Sequence, residues 1–152
     1  MADIYTKQKR SEVMARIRSR GNKTTEATLG MCLRAAGISG WRRHRTLRLK
    51  EGEVAGVSRA LQVTPDFVFA AQRLAVFTDG CFWHGCPRHH TPPRSNARFW
   101  RQKITGNVQR DRLVRRLLKK NGWSVIRLWE HDIKRRPTAC VRRIASVLER
   151  VS

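Results

Sequence analysis

The sequence predicts an α/β domain in which a mixed sheet is flanked by helices, and two observations carry that prediction. Leu74-Ala75-Val76-Phe77 and Trp123 to Trp129 are apolar runs of strand length, separated by a stretch, Ala97 to Lys120, whose apolar residues recur at helical spacing. A strand–helix–strand succession is a crossover, and a crossover sets its two strands parallel. The second observation is that no repeat and no linker composition divides the 152 residues, a length that suits one domain, 1–152, with its own core.

Taken in order, residues 1–20 form a basic N-terminal arm. Val13, Met14 and Ile17 at helical spacing predict a short helix over 9–19, ended near Gly21. A clearer helix spans 24–36. Thr24 or Asn22 can cap it, Leu29 and Leu33 share a face, and Gly37 stops it. Glu26 lies three and seven residues before those leucines, so its carboxylate is aimed inward and needs either an arginine partner or a metal. Trp41 to Leu49 alternates loosely and reads as a strand; Lys50 to Thr64 reads as a long loop or extended hairpin tip. Asp66 opens a strand running to Phe69, Ala71-Gln72-Arg73 turns, and 74–77 is a buried central strand. Periodicity is lost from Cys81 to Asn96. In the helix that follows, Trp100, Ile104, Val108, Leu113, Leu117 and Leu118 face inward, and Asn121-Gly122 ends it. After the strand 123–129, Pro137 opens a last helix with Val141, Ile144, Val147 and Leu148 inward. The expected order is α-α-β-β-β-α-β-α.

Composition narrows the function. Lys plus Arg is 33 against 11 Asp plus Glu, a formal net charge of +22 spread along the whole chain. A folded surface this basic calls for a polyanion, which points to nucleic acid without distinguishing an enzyme from a passive binder. The charged start lacks a secretory h-region and no apolar run reaches about 20 residues, so the expectation is a cytoplasmic protein without a membrane span. Its four cysteines are then metal ligands or buried thiols.

Cys81, Cys86 and His89 have a spacing that can wrap a tetrahedral Zn²⁺. His131 is the expected fourth ligand, because parallel neighbouring strands bring 74–78 and 123–129 to the same sheet edge; His90 could replace His89. Four protein ligands make such a zinc structural. Cys32 and Cys140, each in a helix among apolar residues, are expected to be plain buried thiols. If 66–69 and 74–77 pair as an antiparallel hairpin, Asp66 comes beside Thr78 and Asp79, giving hard oxygen donors suited to Mg²⁺. His84 lies just beyond and could act as general base. Phe82 and Trp83, adjacent aromatics in a polar loop, suit stacking or wedging between bases, with Phe99 and Trp100 joining them or Trp100 packing beneath the loop.

The run Phe77 to Pro87 resembles the signature of the very short patch repair (DNA mismatch) endonuclease family. Pro65-Asp66-Phe67-Val68, Phe99-Trp100, Asn107-Val108-Gln109-Arg110-Asp111, Gly122-Trp123, Trp129-Glu130, Arg10-Ser11-Glu12-Val13-Met14 and the helix carrying Glu26 extend the likeness over nearly the whole chain. The resemblance implies a restriction-endonuclease-like core with a structural zinc. It implies a Mg²⁺-dependent enzyme that nicks one strand 5′ to the thymine of a T·G mismatch arising from 5-methylcytosine deamination. Carried over by position, Asp66 binds the metal, Thr78 adds its main-chain carbonyl, His84 is the general base and Glu26 an accessory acid. Phe82, Trp83 and Trp100 match DNA-wedging aromatics, and Cys81, Cys86, His89 and His131 fall at or near the zinc positions. Mismatch-repair proteins are implied partners, a bacterial nucleoid-associated setting is expected, and one mismatch per event needs only a monomer. Two departures stand out. Thr78-Asp79-Gly80 carries no lysine and puts Asp79 where some members have histidine, so Asp79 has no assigned role. The segment before Pro65-Asp66 is longer than the family leads one to expect. The rival readings are a restriction-type nuclease of other specificity and a non-catalytic, zinc-stabilised DNA-binding protein.

Overall fold

The computed structural model describes residue 8 and residues 24–54, 57–91 and 93–152. The helix expected over 9–19 lies outside these, as does Asn22. Helix α1 covers 24–35 and ends on Gly37, whose φ of 73° is the left-handed conformation that glycine adopts freely. The Gly37 N–H donates to the Arg34 carbonyl and the Ile38 N–H to the Leu33 carbonyl, each at 3.0 Å, which satisfies the orphan carbonyls of the last turn. Leu29 and Leu33 are fully buried on one face, and Glu26 is buried with them.

The stretch expected as one strand over 41–49 is two. Strand β1 is Trp41–Arg43 and strand β2 is Leu47–Val54. His44 between them has φ 52°, a left-handed backbone that no strand can continue through. The segment 50–64, expected as a long loop or extended hairpin tip, contains the end of β2 and strand β3, Val57–Val63, paired antiparallel as a hairpin. Leu47 faces Val63 and Leu49 faces Leu61, so the ribbon has one apolar face, packed against Val114, Leu117 and Leu118. Its far part is held by the Asn121 side chain, which accepts the Lys50 N–H at 3.0 Å and donates to the Lys50 carbonyl at 3.1 Å.

The remaining strands are β4 (Phe67–Phe69), β5 (Leu74–Asp79) and β6 (Ser124–Trp129), with a turn at 70–73 joining the first two. Helix α2 (Ala97–Lys120) connects β5 to β6, and α3 (Glu130–Arg135) and α4 (Pro137–Val151) follow. The main sheet has the order β1-β4-β5-β6, with β4–β5 antiparallel and β5–β6 parallel, so it is mixed as expected. Helix α3 departs from the expected order, because six residues are too few to show a period. In α2 the buried valine is Val114, while Val108 and Leu113 are half-buried. Cys140 is buried and Cys32 packs partly buried against the same core.

Side chains alternate along β5, and each face has its own core. Leu74 and Val76 join Leu29, Leu33, Phe67, Phe69, Ile126, Leu128, Ile133 and Ile144. Ala75 joins Val68, Val114, Leu117 and Leu118, with Phe77 packed against them. A period of two then puts Thr78 on the α1 face and Asp79 on the α2 face. Among the described residues, no helix is long and apolar enough to cross a membrane.

Candidate active site

The end of β5 carries chemistry on both faces. On the α1 face, Asp66 stands just before β4, and its Oδ2 accepts the Thr78 backbone N–H at 2.7 Å and the Thr78 hydroxyl at 3.1 Å. The antiparallel register, Phe67 opposite Val76, makes this contact possible. Glu26 approaches from α1. Its Oε2 takes Arg43 Nη2 at 2.6 Å and lies 2.9 Å from His44 Nε2. One ligand atom from each of Glu26, His44 and Asp66 lies within 4.8 Å of the others. Burial drives the Asp66 carboxyl up to about 6 from 3.8; the Thr78 N–H opposes this and the nearby Glu26 charge adds to it. A partly desolvated carboxyl with a second carboxylate close by is a place where a cation is favoured.

On the α2 face, Asp79 is buried and accepts Arg127 Nη1 at 2.8 and 3.0 Å on its two oxygens. Arg127 is opposite Phe77 in the parallel register, and its guanidinium sits 4.3 Å over that ring. Its Nη2 reaches Asp111 Oδ1 of α2 at 3.3 Å, and Asp111 Oδ2 lies 2.6 Å from His84 Nδ1. The other ring nitrogen of His84 is 3.9 Å from Asp79 Oδ1. Burial pulls the His84 pKa down, but the Asp111 hydrogen bond and the charges of Asp79 and Asp111 outweigh it and raise the imidazole above its ordinary value.

The loop after β5 gathers thiols and imidazoles. Cys81 Sγ is 3.2 Å and Cys86 Sγ 3.7 Å from His131 Nδ1, and Cys86 Sγ is 3.8 Å from His89 Nδ1. One donor atom from each of the four residues lies within 4.8 Å of the rest. Bond lengths of about 2.3 Å to sulfur and 2.0–2.1 Å to nitrogen give tetrahedron edges of roughly 3.3–3.8 Å, so the donor set fits a zinc ion. His131 Nε2 lies 3.4 Å from Asp132, the kind of carboxylate that orients a ligating imidazole. His90 is placed elsewhere, its ring 5.7 Å from Phe82.

The same loop seats the aromatics. Phe82, Trp83 and Trp100 meet edge to face at centroid distances of 5.1 to 5.9 Å. Trp100 is only 8% exposed and underlies the loop, whereas neighbouring Phe99 is 57% exposed. Asn107 Nδ2 donates to the Trp83 carbonyl at 2.9 Å. Gly85 has φ 64°, and a Cβ there would meet Ile104 Cγ2 at 3.2 Å and Val108 Cγ2 at 3.4 Å, so any other residue would strain the backbone and push the loop off its close seat on α2.

The catalytic and metal candidates read from the sequence therefore fall in three groups: Glu26, Asp66 and Thr78; Asp79 and His84; and Cys81, Cys86, His89 and His131 with their aromatic neighbours, while His90 stays outside the cluster. Sequence reasoning missed Arg43, His44, Asp111 and Arg127 as members. Arg127 had a signal, a lone cation inside the apolar run Ser124 to Trp129.

Chemistry at a phosphodiester uses what this strand end offers, an acid pair on one face and an imidazole held by a carboxylate on the other, and a chain of charge +22 supplies the affinity for the polyanion. The class is that of the DNA endonucleases. Residues 2–91 match the family model described as DNA mismatch endonuclease Vsr, and the chain belongs to that family. It is 42% identical over 123 residues to the type II nicking enzyme V.NaeI of Lentzea aerocolonigenes, covering 81% of this chain and 68% of that one. It is 33% identical to the type II nicking enzyme V.NmeAIP of Neisseria meningitidis, over 99% of this chain and 97% of the relative. With the DNA mismatch endonuclease Vsr of Escherichia coli (strain K12) it shares 33% identity, over 90% of this chain and 78% of the relative. The protein is a Vsr-like nicking endonuclease.

Proposed function

We propose that this endonuclease nicks one strand of duplex DNA 5′ to the thymine of a T·G mismatch left by deamination of 5-methylcytosine, with Mg²⁺ at the acidic cluster and Zn²⁺ in the thiol–imidazole cluster. The observation that carries the reading is the seat of Asp66 on Thr78, at the same strand end from which His84 follows. Asp66, Glu26 and the Thr78 main-chain carbonyl would hold the Mg²⁺, whose oxygen-seeking chemistry suits a half-buried Asp66 beside a buried Glu26. When bound, that ion supplies charge stabilisation to the phosphodiester oxygens.

The chain's own residues do the rest. With Nδ1 directed at Asp111, His84 has Nε2 left to take a proton from the attacking water. The Asp111 carboxylate then stabilises the imidazolium that forms, as an acid partner does for a histidine base. Phe82 and Trp83 stack or wedge beside the mismatch, with Trp100 as their floor. Cys81, Cys86, His89 and His131 would hold the loop's shape through zinc, and the protein works as a single domain and a monomer on one mismatch at a time.

The test uses end-labelled duplexes carrying T·G, A·T or G·C at one position, with Mg²⁺. Nicking confined to the T·G duplex supports the proposal. Cutting of both strands in matched DNA overturns it in favour of a restriction-type nuclease, and binding without cleavage under several divalent ions would favour a non-catalytic binder.

A further inference from the structure

Asp79 and Arg127 form the most buried ion pair among the described residues, with side chains 7% and 19% exposed, and nothing in the hydrolytic scheme above uses either. Burying two charges costs several kcal/mol per ion before their attraction returns it, so a pair of this kind seldom exists for stability alone. Its geometry says where it acts. The guanidinium spends Nη1 on both oxygens of Asp79 and Nη2 on Asp111, while its Nε is buried with no hydrogen-bond partner. The fork is thus set by the two carboxylates and by the Phe77 ring at 4.3 Å, not by satisfying all of its own donors. Those carboxylates are the ones that flank His84, Asp111 at Nδ1 and Asp79 nearest Nε2. Left without the arginine, Asp79 could rotate to close its 3.9 Å gap and hydrogen-bond Nε2, and Asp111 would lose the contact that turns its second oxygen toward Nδ1.

We infer that Arg127, working through Asp79 and Asp111, is a positioning residue that fixes the His84 ring with Nδ1 engaged and Nε2 free for the reacting water. Asp79 thereby gains a role as the anchor of the arginine, without itself touching the substrate. The inference rests on His84 being the base. It concerns a pairing that joins β5 to β6, and that registers Arg127 against the residue two before Asp79.

The experiment measures single-turnover nicking, DNA binding and thermal unfolding for Arg127→Met, Arg127→Lys, the double variant Asp79→Leu with Arg127→Met, and His84→Ala. Arg127→Met should lower the cleavage rate at least tenfold with Kd for the duplex within about twofold of the parent, and Arg127→Lys should recover part of the rate. The double variant removes both buried charges, so it should unfold at or above the parent temperature and still cleave slowly. That combination, a slow enzyme with full stability and binding, is what a merely structural ion pair would not give. Parent-like cleavage by the stable double variant overturns the inference, as does a loss confined to binding. If His84→Ala cleaves normally, the base assignment has failed instead, and the two failures are told apart in one experiment. The downfield proton resonance of the short His84–Asp111 hydrogen bond gives an independent reading: it should be sharp in the parent and weakened or lost in Arg127→Met, and its persistence there unchanged would count against the proposed role.

Discussion

Two clusters in this molecule have the donor atoms to hold a metal, and they are built on opposite principles. The set Cys81, Cys86, His89 and His131 spans a loop and a short helix, and among the described residues no arginine or lysine hydrogen-bonds its donor atoms. The set Glu26, His44 and Asp66 already has a cation of its own, since Arg43 lies 2.6 Å from Glu26, with the His44 ring nitrogen 2.9 Å from the same oxygen. Soft donors on an otherwise irregular segment suit an ion that stays and gives the segment its shape. Hard donors on the edge of a packed core, half-neutralised from within, suit an ion that binds with substrate while the core keeps its form. The difference teaches that metal dependence can mean foldedness in one place and turnover in another within a single chain.

The contrast breaks most visibly if zinc is withdrawn. Structural zinc contributes about 10 kcal/mol or more of apparent binding free energy, so a strong chelator, or Cys86→Ser, should collapse the order of residues 80–91 and lower the unfolding temperature markedly. Metal analysis should find about one zinc per chain; a metal-free protein with an unchanged melting curve would end the structural-zinc reading. Second in size, Asp66→Asn should cut nicking by about three orders of magnitude, several kcal/mol of transition-state stabilisation, with T·G duplex binding retained. Its unfolding temperature should hold or rise, since the substitution relieves repulsion with Glu26. A sharp loss of stability instead would show Asp66 to be structural. Gly85→Ala tests the loop's seat on α2: the left-handed backbone alone costs about 1–2 kcal/mol, and the 3.2 Å approach to Ile104 adds to it, measurable as a lower midpoint in urea.

Of an order with the Gly85 effect is a pH dependence, and it sharpens the contrast from the acidic side. The Asp66 carboxyl is raised from 3.8 to about 6, so between those values the folded protein keeps a proton that the unfolded chain releases. Its contribution to stability is therefore complete below 3.8 and is lost as pH rises through about 6. Without divalent ions, the unfolding temperature should decline by roughly a few degrees over that window relative to Asp66→Asn. Added Mg²⁺ should flatten the difference at neutral pH; parallel curves for parent and variant would show that Asp66 titrates normally.

The central strand, the crossover helix and the meeting of Asp66 with Thr78 were legible in the sequence, because each follows from a period or from the sidedness of strands. The ribbon β2–β3 was legible only as one of two alternatives, a long loop or an extended hairpin tip, because its alternation is interrupted by the irregularity between Lys50 and Gly52 and its apolar face is narrow. Helix α3 escaped because it is shorter than any period that could announce it. Asp111 lies 27 residues from His84, and Arg127 lies 48 from Asp79; only the packing of α2 and β6 around β5 makes them neighbours. His44 was hidden by its backbone, since a left-handed histidine between two strands leaves no pattern in one dimension.

Thr78 and Asp79 are adjacent in the chain yet serve opposite faces of the sheet. That makes the strand end a matter of odd and even. Deleting or inserting a single residue within 74–79 would exchange the two faces, sending a hydroxyl toward Arg127 and a carboxylate toward Asp66, and would invert both cores along the way. A two-residue change would preserve parity and only alter length. Single-residue length variation is thus closed to this strand, whereas the β2–β3 ribbon, which forms a separate two-stranded sheet, carries no such parity.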